Sequence, residues 1–227
     1  MYIPTAFREE NSETLLAFMR AHSFATVIST IDGVPFATHI PVGVEQRGDT
    51  VIVTGHVSKA NAHVRAFSTA RAERIVGKSI DDMADVAISD TMSLVIFSGP
   101  HAYVSPSAYD ALESVPTWNY IAVHATGVLH SVLFNETPED IETMLDTMIA
   151  QYDPAYGAQW RDLPAKFRDG MMRGVVGFEM PVQQLEGKYK LSQNRSTHDQ
   201  AAVQAMLATS DDVSARDVAR AMQERRG

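Results

Sequence analysis

The sequence predicts a mainly β protein with flanking helices, an α+β chain whose strands form an antiparallel barrel. Several runs rich in Val, Ile and Thr have the composition of strands, and Asp32-Gly33 between the first two runs is a strong hairpin signal. Helical patterns gather towards the two ends of the chain, and few lie between strands. A doubly wound parallel sheet needs a helix after nearly every strand, so we do not expect one.

The first elements are a helix and three strands. Asn11 or Ser12 can cap the helix, in which apolar residues recur at helical spacing until about His22. Alternating and β-branched residues then predict strands over 24–31, 34–44 and 50–57.

The remaining elements follow the same rules. Thr137 has the position of a helix cap, with Pro and two acidic residues in the first turn, and the apolar stripe over 141–149 indicates a helix packed on the core. Buried strands are predicted at 93–105, 118–132 and 174–185, and closing helices at 197–208 and 214–225, the latter with a capping box at Ser214 and Asp217.

The domain organisation follows from this order. Residues 1–190 form the predicted barrel domain, and residues 191–227 form a C-terminal helical segment packed on the barrel or on a dimer partner. Ser58 can cap a helix over 59–70. The charged, weakly patterned segment 71–91 is predicted to be an insertion or lid in the barrel domain.

Composition and charge exclude several classes of protein. The 28 acidic against 19 basic residues give a formal net charge of -9, which repels polyanions, so DNA binding is possible only through a local basic face. Cys is absent, so there is neither a disulfide nor a thiolate metal site. No apolar run approaches the roughly 20 residues of a membrane span. We therefore expect a soluble, cytoplasmic protein that does not bind membranes.

Two stretches carry residues suited to binding a phosphate. In TGHVSKAN, His56, Ser58, Lys59 and Asn61 lie where a strand ends and a helix is predicted to begin, so amide, hydroxyl and ammonium donors could hold the phosphate. A capped helix with a solvated Lys explains the same residues. The second stretch, LEGKYKLSQNRS at 185–196, is locally basic in an acidic chain.

Aromatic and histidine residues suggest other ligands. Trp118-Asn119-Tyr120 could face a flat heteroaromatic ligand or could pack in the core. The His residues lack the short spacing and thiolate partners of a zinc site, so no metal is expected. Haem binding by His63, His101 or His124 is a further alternative. The two C-terminal helices could mimic a helix-turn-helix reader or serve packing and dimerisation.

Six segments taken in order resemble one known family. They are MYIPTAFRE, FATHIPV, GHVSKAN, VIFSGPHAYVSP, VPTWNY and GKYKLSQNRS, and they are spread along the chain from residue 1 to residue 196. They resemble the PaiB family of FMN-binding proteins described as negative transcriptional regulators, a branch of the split-barrel flavoproteins related to pyridoxamine 5'-phosphate oxidase. The resemblance implies a six-stranded antiparallel Greek-key barrel and a homodimer with FMN at its interface.

The resemblance also assigns residues to FMN. One strand would lie along the isoalloxazine, the next strand end would hold the phosphate, the partner subunit would offer an amide, and the C-terminal stretch would close the pocket. Thr38, His39, Ile40 and Pro41 would lie along the isoalloxazine, and His56, Ser58, Lys59, Ala60 and Asn61 would hold the phosphate. The segment that offers the amide would be Trp118, Asn119 and Tyr120. The residues that close the pocket would be Lys188, Lys190 and Gln193.

Two functions remain open from the sequence. The first is an FMN-binding negative transcriptional regulator of the PaiB type. The second is an FMN-dependent oxidoreductase or flavin reductase that takes a hydride from a reduced nicotinamide. No catalytic acid or base is identified for either function.

Overall fold

A computed structural model describes residues 1–68, 92–133 and 135–225, and these residues contain nine strands and six α-helices. The strands are β1 (Arg8–Glu9), β2 (Phe24–Ile31), β3 (Val34–Pro41), β4 (Gly43–Arg47), β5 (Thr50–Ser58), β6 (Met92–Val104), β7 (Thr117–Val128), β8 (His130–Val132) and β9 (Val175–Lys190). The helices are α1 (Ser12–Ala21), α2 (Pro138–Tyr152), α3 (Tyr156–Asp162), α4 (Ala165–Arg173), α5 (Thr197–Ala208) and α6 (Val213–Glu224).

The strands pair in the order β3-β2-β6-β7-β9-β5-β4, with β1 and β8 also paired to β9. The pairings of β2 with β3 and β6, of β4 with β5, and of β9 with β1, β5 and β8 are all antiparallel. An antiparallel sheet with flanking helices is the architecture that the sequence predicts. No described helix has the length and apolar character needed to cross a membrane.

The predicted first helix and hairpin are confirmed. The Asn11 side chain accepts a hydrogen bond from the Thr14 amide, which makes Asn11 the N-cap of α1. Asp32 and Gly33 both have positive φ, at 54° and 77°. This is the backbone that a two-residue type I′ hairpin turn requires, and Asp-Gly adopts it readily.

The strand predicted over 34–44 is wrong in one respect, because two strands replace it. The chain leaves β3 after Pro41, and the Val42 amide donates instead to the Ser23 carbonyl at 2.9 Å. Gly43 then begins β4, where a side chain would not fit, since a Cβ at this position would lie 2.5 Å from the Thr54 hydroxyl. β3 pairs with β2, whereas β4 pairs with β5.

The helix predicted after Ser58 is also wrong. Ser58 ends β5, and the only helical turn described there is a 3-10 segment, Ala62–Ala66, whose cap is Asn61. The Asn61 side chain accepts from the His63 amide at 2.9 Å. Residues 69–91, which include the predicted insertion at 71–91, lie outside the described part of the chain.

Later elements depart from prediction mainly at their ends. Helices α3 and α4 occupy a segment predicted as a connection, and β9 extends to Lys190, beyond the predicted end at 185. The cap of α6 is Asp212, which accepts from the Ser214 amide, so the predicted capping box is wrong. The Ser214 hydroxyl instead bonds to both backbone groups of His101 at 2.8 Å.

The chain divides into two compact units. The first contains Met1–His22, Phe97–His124 and Glu186–Gly227, and the second contains Ser23–Ile96 and Ala125–Leu185. Helices α5 and α6 thus belong to the same unit as α1, while the domain boundary predicted at residue 190 stays a prediction. In the second unit Ile141, from the predicted apolar stripe of α2, is buried with Met172.

Candidate functional site

A buried hydrogen-bonded network connects β2, β3 and β6 in the second unit. At its centre is His63, which is only 1% exposed. Its Nε2 lies 2.7 Å from the Ser29 hydroxyl and its Nδ1 lies 2.9 Å from the Thr38 hydroxyl. The Ser29 hydroxyl also contacts that of Ser93 at 2.6 Å, and the Asn61 amide donates to Thr38 at 3.4 Å.

This network fixes the side chain of Thr38. Burial lowers the pKa of His63, so the imidazole is neutral at neutral pH and one ring nitrogen donates while the other accepts. The Phe36 ring packs edge-on against the imidazole, with 5.5 Å between centroids. Beyond Thr38 on β3, His39 is exposed and Ile40 is half-buried. β3 is therefore an accessible strand on which the Thr38 hydroxyl is fixed by its hydrogen bond to the buried His63 ring.

The predicted phosphate stretch lies after β5. Ser58, Lys59 and Ala60 are exposed. Two of their backbone amides are already used within the chain, since Lys59 donates to the Gly174 carbonyl at 3.0 Å and Ala60 donates to the Ser58 hydroxyl at 3.3 Å. The expected cluster of free amides is therefore not formed. The donor that remains is the Lys59 ammonium, which forms no ion pair with any described residue.

His56 lies on β5 and is half-buried. It lines a small cavity of about 20 Å³ together with Pro41, another predicted site residue, and with Met144 and Gln151 of α2. Burial lowers the pKa of His56, which keeps its ring neutral at neutral pH. The structure thus brings Pro41 and His56 together, and separately brings Thr38 and Asn61 together.

In the first unit, the predicted Trp118-Asn119-Tyr120 segment lies on β7. Asn119 is fully buried, and its amide nitrogen donates to the Ser192 hydroxyl at 2.9 Å. The Ser192 hydroxyl also lies 3.3 Å from the amide oxygen of Asn119. The Trp118 side chain is 53% exposed, and Tyr120 is half-buried. The Asn119 amide could bind a ligand only after its hydrogen bond to Ser192 breaks.

The cations of the C-terminal stretch also have partners within the first unit. Lys188, 8% exposed, donates to the Tyr2 carbonyl at 3.0 Å and lies 5.1 Å from the centre of the Tyr120 ring. Lys190 donates to the Thr117 hydroxyl at 2.6 Å, and burial lowers its pKa. Gln193 contacts the backbone on both sides of Lys190. These contacts fasten β9 to neighbouring segments.

The residues of the second unit fit FMN better than those of the first. An accessible strand with the fixed hydroxyl of Thr38 suits the edge of a flat heterocycle, and the exposed Lys59 ammonium suits a phosphate. In the first unit, the polar atoms of Asn119, Lys188 and Lys190 bond within the chain. Their assignment to FMN stays a prediction, and the same holds for the second-unit residues.

The histidines proposed as haem ligands differ in their freedom to bind iron. Both ring nitrogens of His63 are bonded to hydroxyl groups, so it would have to leave its network to ligate. His124 is half-buried, and burial lowers its pKa. His101 is exposed on β6.

One group of described residues has the donor types of a metal site. They are His198 and Asp199 in the first turn of α5 and Asp110 from the loop after β6, with the His198 Nδ1 3.0 Å from a carboxylate oxygen of Asp110. Asp199 accepts a hydrogen bond from the Asp110 amide. These contacts give each of the three side chains a partner within the chain, so the cluster is explained by the packing of the Asp110 segment on the first turn of α5.

The arginines of the C-terminal helices are engaged within the first unit. Arg216 donates to the Ser210 carbonyl at 2.6 Å, and Arg220 pairs with Asp217 at 2.9 Å. Arg225 pairs with Glu9 at 2.7 Å. These pairings favour a packing role for α6 over a DNA-reading role.

Comparison with known proteins places the chain in a family. The family described as "Putative FMN-binding domain" matches residues 1–184. The chain belongs to this family. The FMN cofactor predicted from the sequence is therefore confirmed at the level of the family.

Relatives and solved structures agree with this assignment. The chain is 34% identical over 99% of its length, and 98% of the relative's, to "Protease synthase and sporulation protein PAI 2" of Bacillus subtilis. It is also 26% identical, over 75% of this chain and 71% of the relative, to an uncharacterized protein of Emericella nidulans. The flavocytochrome Anf3 of Azotobacter vinelandii aligns with a TM-score of 0.55 and 16% identity, over 86% of this chain and 75% of that one.

A second solved structure shares the fold. The FAD and haem binding protein of Mycobacterium smegmatis has a TM-score of 0.53 and 14% identity, over 86% of this chain and 78% of that one. The resemblance to the PaiB family and the flavin-binding split-barrel fold class are thus confirmed.

Proposed function

We propose that this chain is an FMN-binding negative regulator of the PaiB type. The observation that carries the proposal is the similarity to the Bacillus subtilis PAI 2 protein, which extends over 99% of this chain. The name of that relative refers to protease synthesis and sporulation, and a regulator acting on such processes is the function that we assign here.

The FMN site in this proposal lies on the second unit. Lys59 binds the phosphate, because its ammonium is exposed and has no ion pair among the described residues. Thr38 contacts the ring system, because His63 holds its hydroxyl in place. FMN supplies a ring that accepts a hydride or single electrons. The chain's own contribution is to bind and orient that ring.

A second candidate function is an FMN-dependent oxidoreductase or flavin reductase that uses a reduced nicotinamide. The pairing of Arg216, Arg220 and Arg225 within the first unit favours it, together with the net charge of -9, since a regulator that reads DNA directly needs free basic side chains. In this case a role in gene expression would follow from redox chemistry.

One experiment separates the two functions. FMN-loaded protein is titrated into a labelled DNA fragment from upstream of its own gene at two salt concentrations, and separately mixed with NADH or NADPH without oxygen. Salt-sensitive, sequence-dependent DNA binding supports direct regulation. Bleaching of the flavin absorbance by a nicotinamide, without DNA binding, supports the oxidoreductase.

We further propose a homodimer in which the partner subunit completes the FMN site. In the single chain the Trp118 side chain is exposed beside Tyr103 and His101, with 6.1 Å between its ring centroid and each of theirs. An exposed aromatic group of this kind is typical of an interface. Light scattering on the FMN-loaded protein tests the proposal, and a monomeric mass with full FMN occupancy would contradict it.

A further inference from the structure

A second cleft lies in the first unit and contains none of the residues assigned to FMN. It has a volume of about 600 Å³ and is formed by α1, the end of β9 and α6. Its lining exposes more apolar than polar surface, although about half of the lining residues carry polar or charged side chains. This size and this composition are typical of sites for small organic molecules.

Aromatic rings form one wall of the cleft. The Phe18 ring packs directly on the backbone at Gly99, where a Cβ would lie 2.6 Å from it, so this ring cannot move inward. The His22 ring follows at 4.3 Å and the Tyr189 ring at 5.7 Å between centroids. Ile121 contributes a further buried apolar surface. A wall of this kind favours a flat aromatic molecule.

The Tyr189 hydroxyl has no hydrogen-bond partner among the described residues. Tyr189 is 8% exposed and lines the cleft, and burial raises its pKa to about 12, so the hydroxyl keeps its proton at neutral pH. The hydroxyl oxygen is reachable from the cleft, so it is available to bond to a molecule that enters there. His22 also faces the cleft, and burial lowers its pKa, so it adds no positive charge at neutral pH.

The charges around the cleft have a negative excess. Arg225 is paired with Glu9 and Arg220 with Asp217, so each guanidinium is neutralised by a carboxylate. Glu224 also lines the cleft and forms no ion pair within the described chain. A phosphate or carboxylate ligand would be repelled here, whereas an ammonium group would be attracted.

We propose that this cleft binds a flat aromatic molecule that carries an ammonium group. The aromatic ring lies against Phe18 and Tyr189, and the ammonium group lies towards Glu224. The Tyr189 hydroxyl bonds to a polar atom of the ligand. The site is separate from the residues assigned to FMN and does not require either of the two candidate functions to be correct.

Tryptamine is a suitable probe, and indole-3-acetate, which has the opposite charge, is its control. Calorimetric titration of the FMN-loaded protein should show binding of tryptamine and at least about tenfold weaker binding of indole-3-acetate. Absence of tryptamine binding, or equal binding of the two compounds, would overturn the proposal. Flavin absorbance recorded on the same samples reports the FMN site independently.

Variants locate the binding. Ala17→Trp fills the cleft from an exposed position on α1 and should abolish tryptamine binding, whereas Ala201→Trp on an exposed face of α5 should not. Tyr189→Phe should weaken binding about fivefold, and Glu224→Gln about threefold, with Glu13→Gln as the exposed control. Tryptamine binding that survives Ala17→Trp, Tyr189→Phe and Glu224→Gln would show that the molecule binds elsewhere.

Discussion

Two polar clusters of the molecule have similar composition and different accessibility. The cluster around His63 in the second unit fixes the Thr38 hydroxyl by a hydrogen bond, while His39 of β3 and Lys59 stay exposed. The cluster around Asn119 and Lys190 in the first unit directs its polar atoms at neighbouring segments of the same chain. The first arrangement leaves polar groups accessible to a ligand, whereas the second places its polar groups in contact with the same chain.

The His63 network gives the largest expected effect of a substitution. His63→Ala leaves the hydroxyls of Ser29 and Thr38 without their shared partner and opens a cavity, so we expect a loss of about 3 kcal/mol in the free energy of unfolding. Urea unfolding measures this loss. The control is His39→Ala, an exposed histidine of β3 next to Thr38, for which we expect less than about 0.5 kcal/mol.

FMN binding distinguishes a positioning role from a purely structural one. If His63 positions Thr38, His63→Ala should weaken FMN binding even under conditions where the variant is fully folded. Unchanged FMN affinity in the folded variant would mean that Thr38 does not contact the flavin. The two clusters would then differ in accessibility but not in their role in FMN binding.

Asn119 tests the other cluster. Asn119→Ala removes a buried hydrogen-bonded pair with Ser192, and we expect a loss of about 2 kcal/mol in unfolding free energy with an unchanged flavin spectrum. Asn194→Ala, an exposed amide of the following segment, should be close to neutral. A shifted flavin spectrum at unchanged stability would show that the Asn119 amide reaches the cofactor.

Much of the fold was predictable, because it depends on local patterns. The cap at Asn11 and the Asp32-Gly33 turn are determined by short-range chemistry, and both are confirmed. The break after Pro41 depends on a hydrogen bond from Val42 to Ser23 and could not be deduced from composition. The absence of a helix at Ser58 likewise reflects the bond from Lys59 to Gly174.

The site was less predictable, because it depends on long-range contacts. Nothing in the sequence near His63 indicates that Ser29 and Ser93 are its neighbours. One signal was present, since Ser29 continues the period of two set by buried Ala25 and Val27, which turns its hydroxyl inward. For Lys188 and Lys190 the local basic charge suggested an anion, while the structure supplies a carbonyl and a hydroxyl as partners.

Lys59 tests whether the accessible residues of the second unit bind the FMN phosphate. Lys59→Ala should weaken FMN binding about tenfold, or about 1.4 kcal/mol, since one charge-assisted bond to the phosphate is lost. Its unfolding free energy should change by less than about 0.5 kcal/mol, because the side chain is exposed. Fluorescence titration of the apoprotein with FMN gives the affinity.

Lys166→Ala is the matched control for Lys59, because it removes an equally exposed lysine of the same unit, on α4. Equal losses of FMN affinity in the two variants would indicate a general charge effect. No loss in either variant would remove Lys59 from the site.

The smallest effect concerns pH. Burial lowers the pKa values of His56 and His63, so the folded protein takes up protons less readily than the unfolded chain. Stability is therefore complete above about pH 6.5 and declines as the pH falls from there towards the lowered pKa values, by at most about 1.4 kcal/mol per pH unit for each histidine. Urea unfolding at pH 7.5, 6.5 and 5.5 measures this slope, and His63→Gln should reduce it by the share of His63. An identical slope in that variant would mean that His63 takes up protons as readily in the folded protein as in the unfolded chain, which would contradict a pKa lowered by burial in the network.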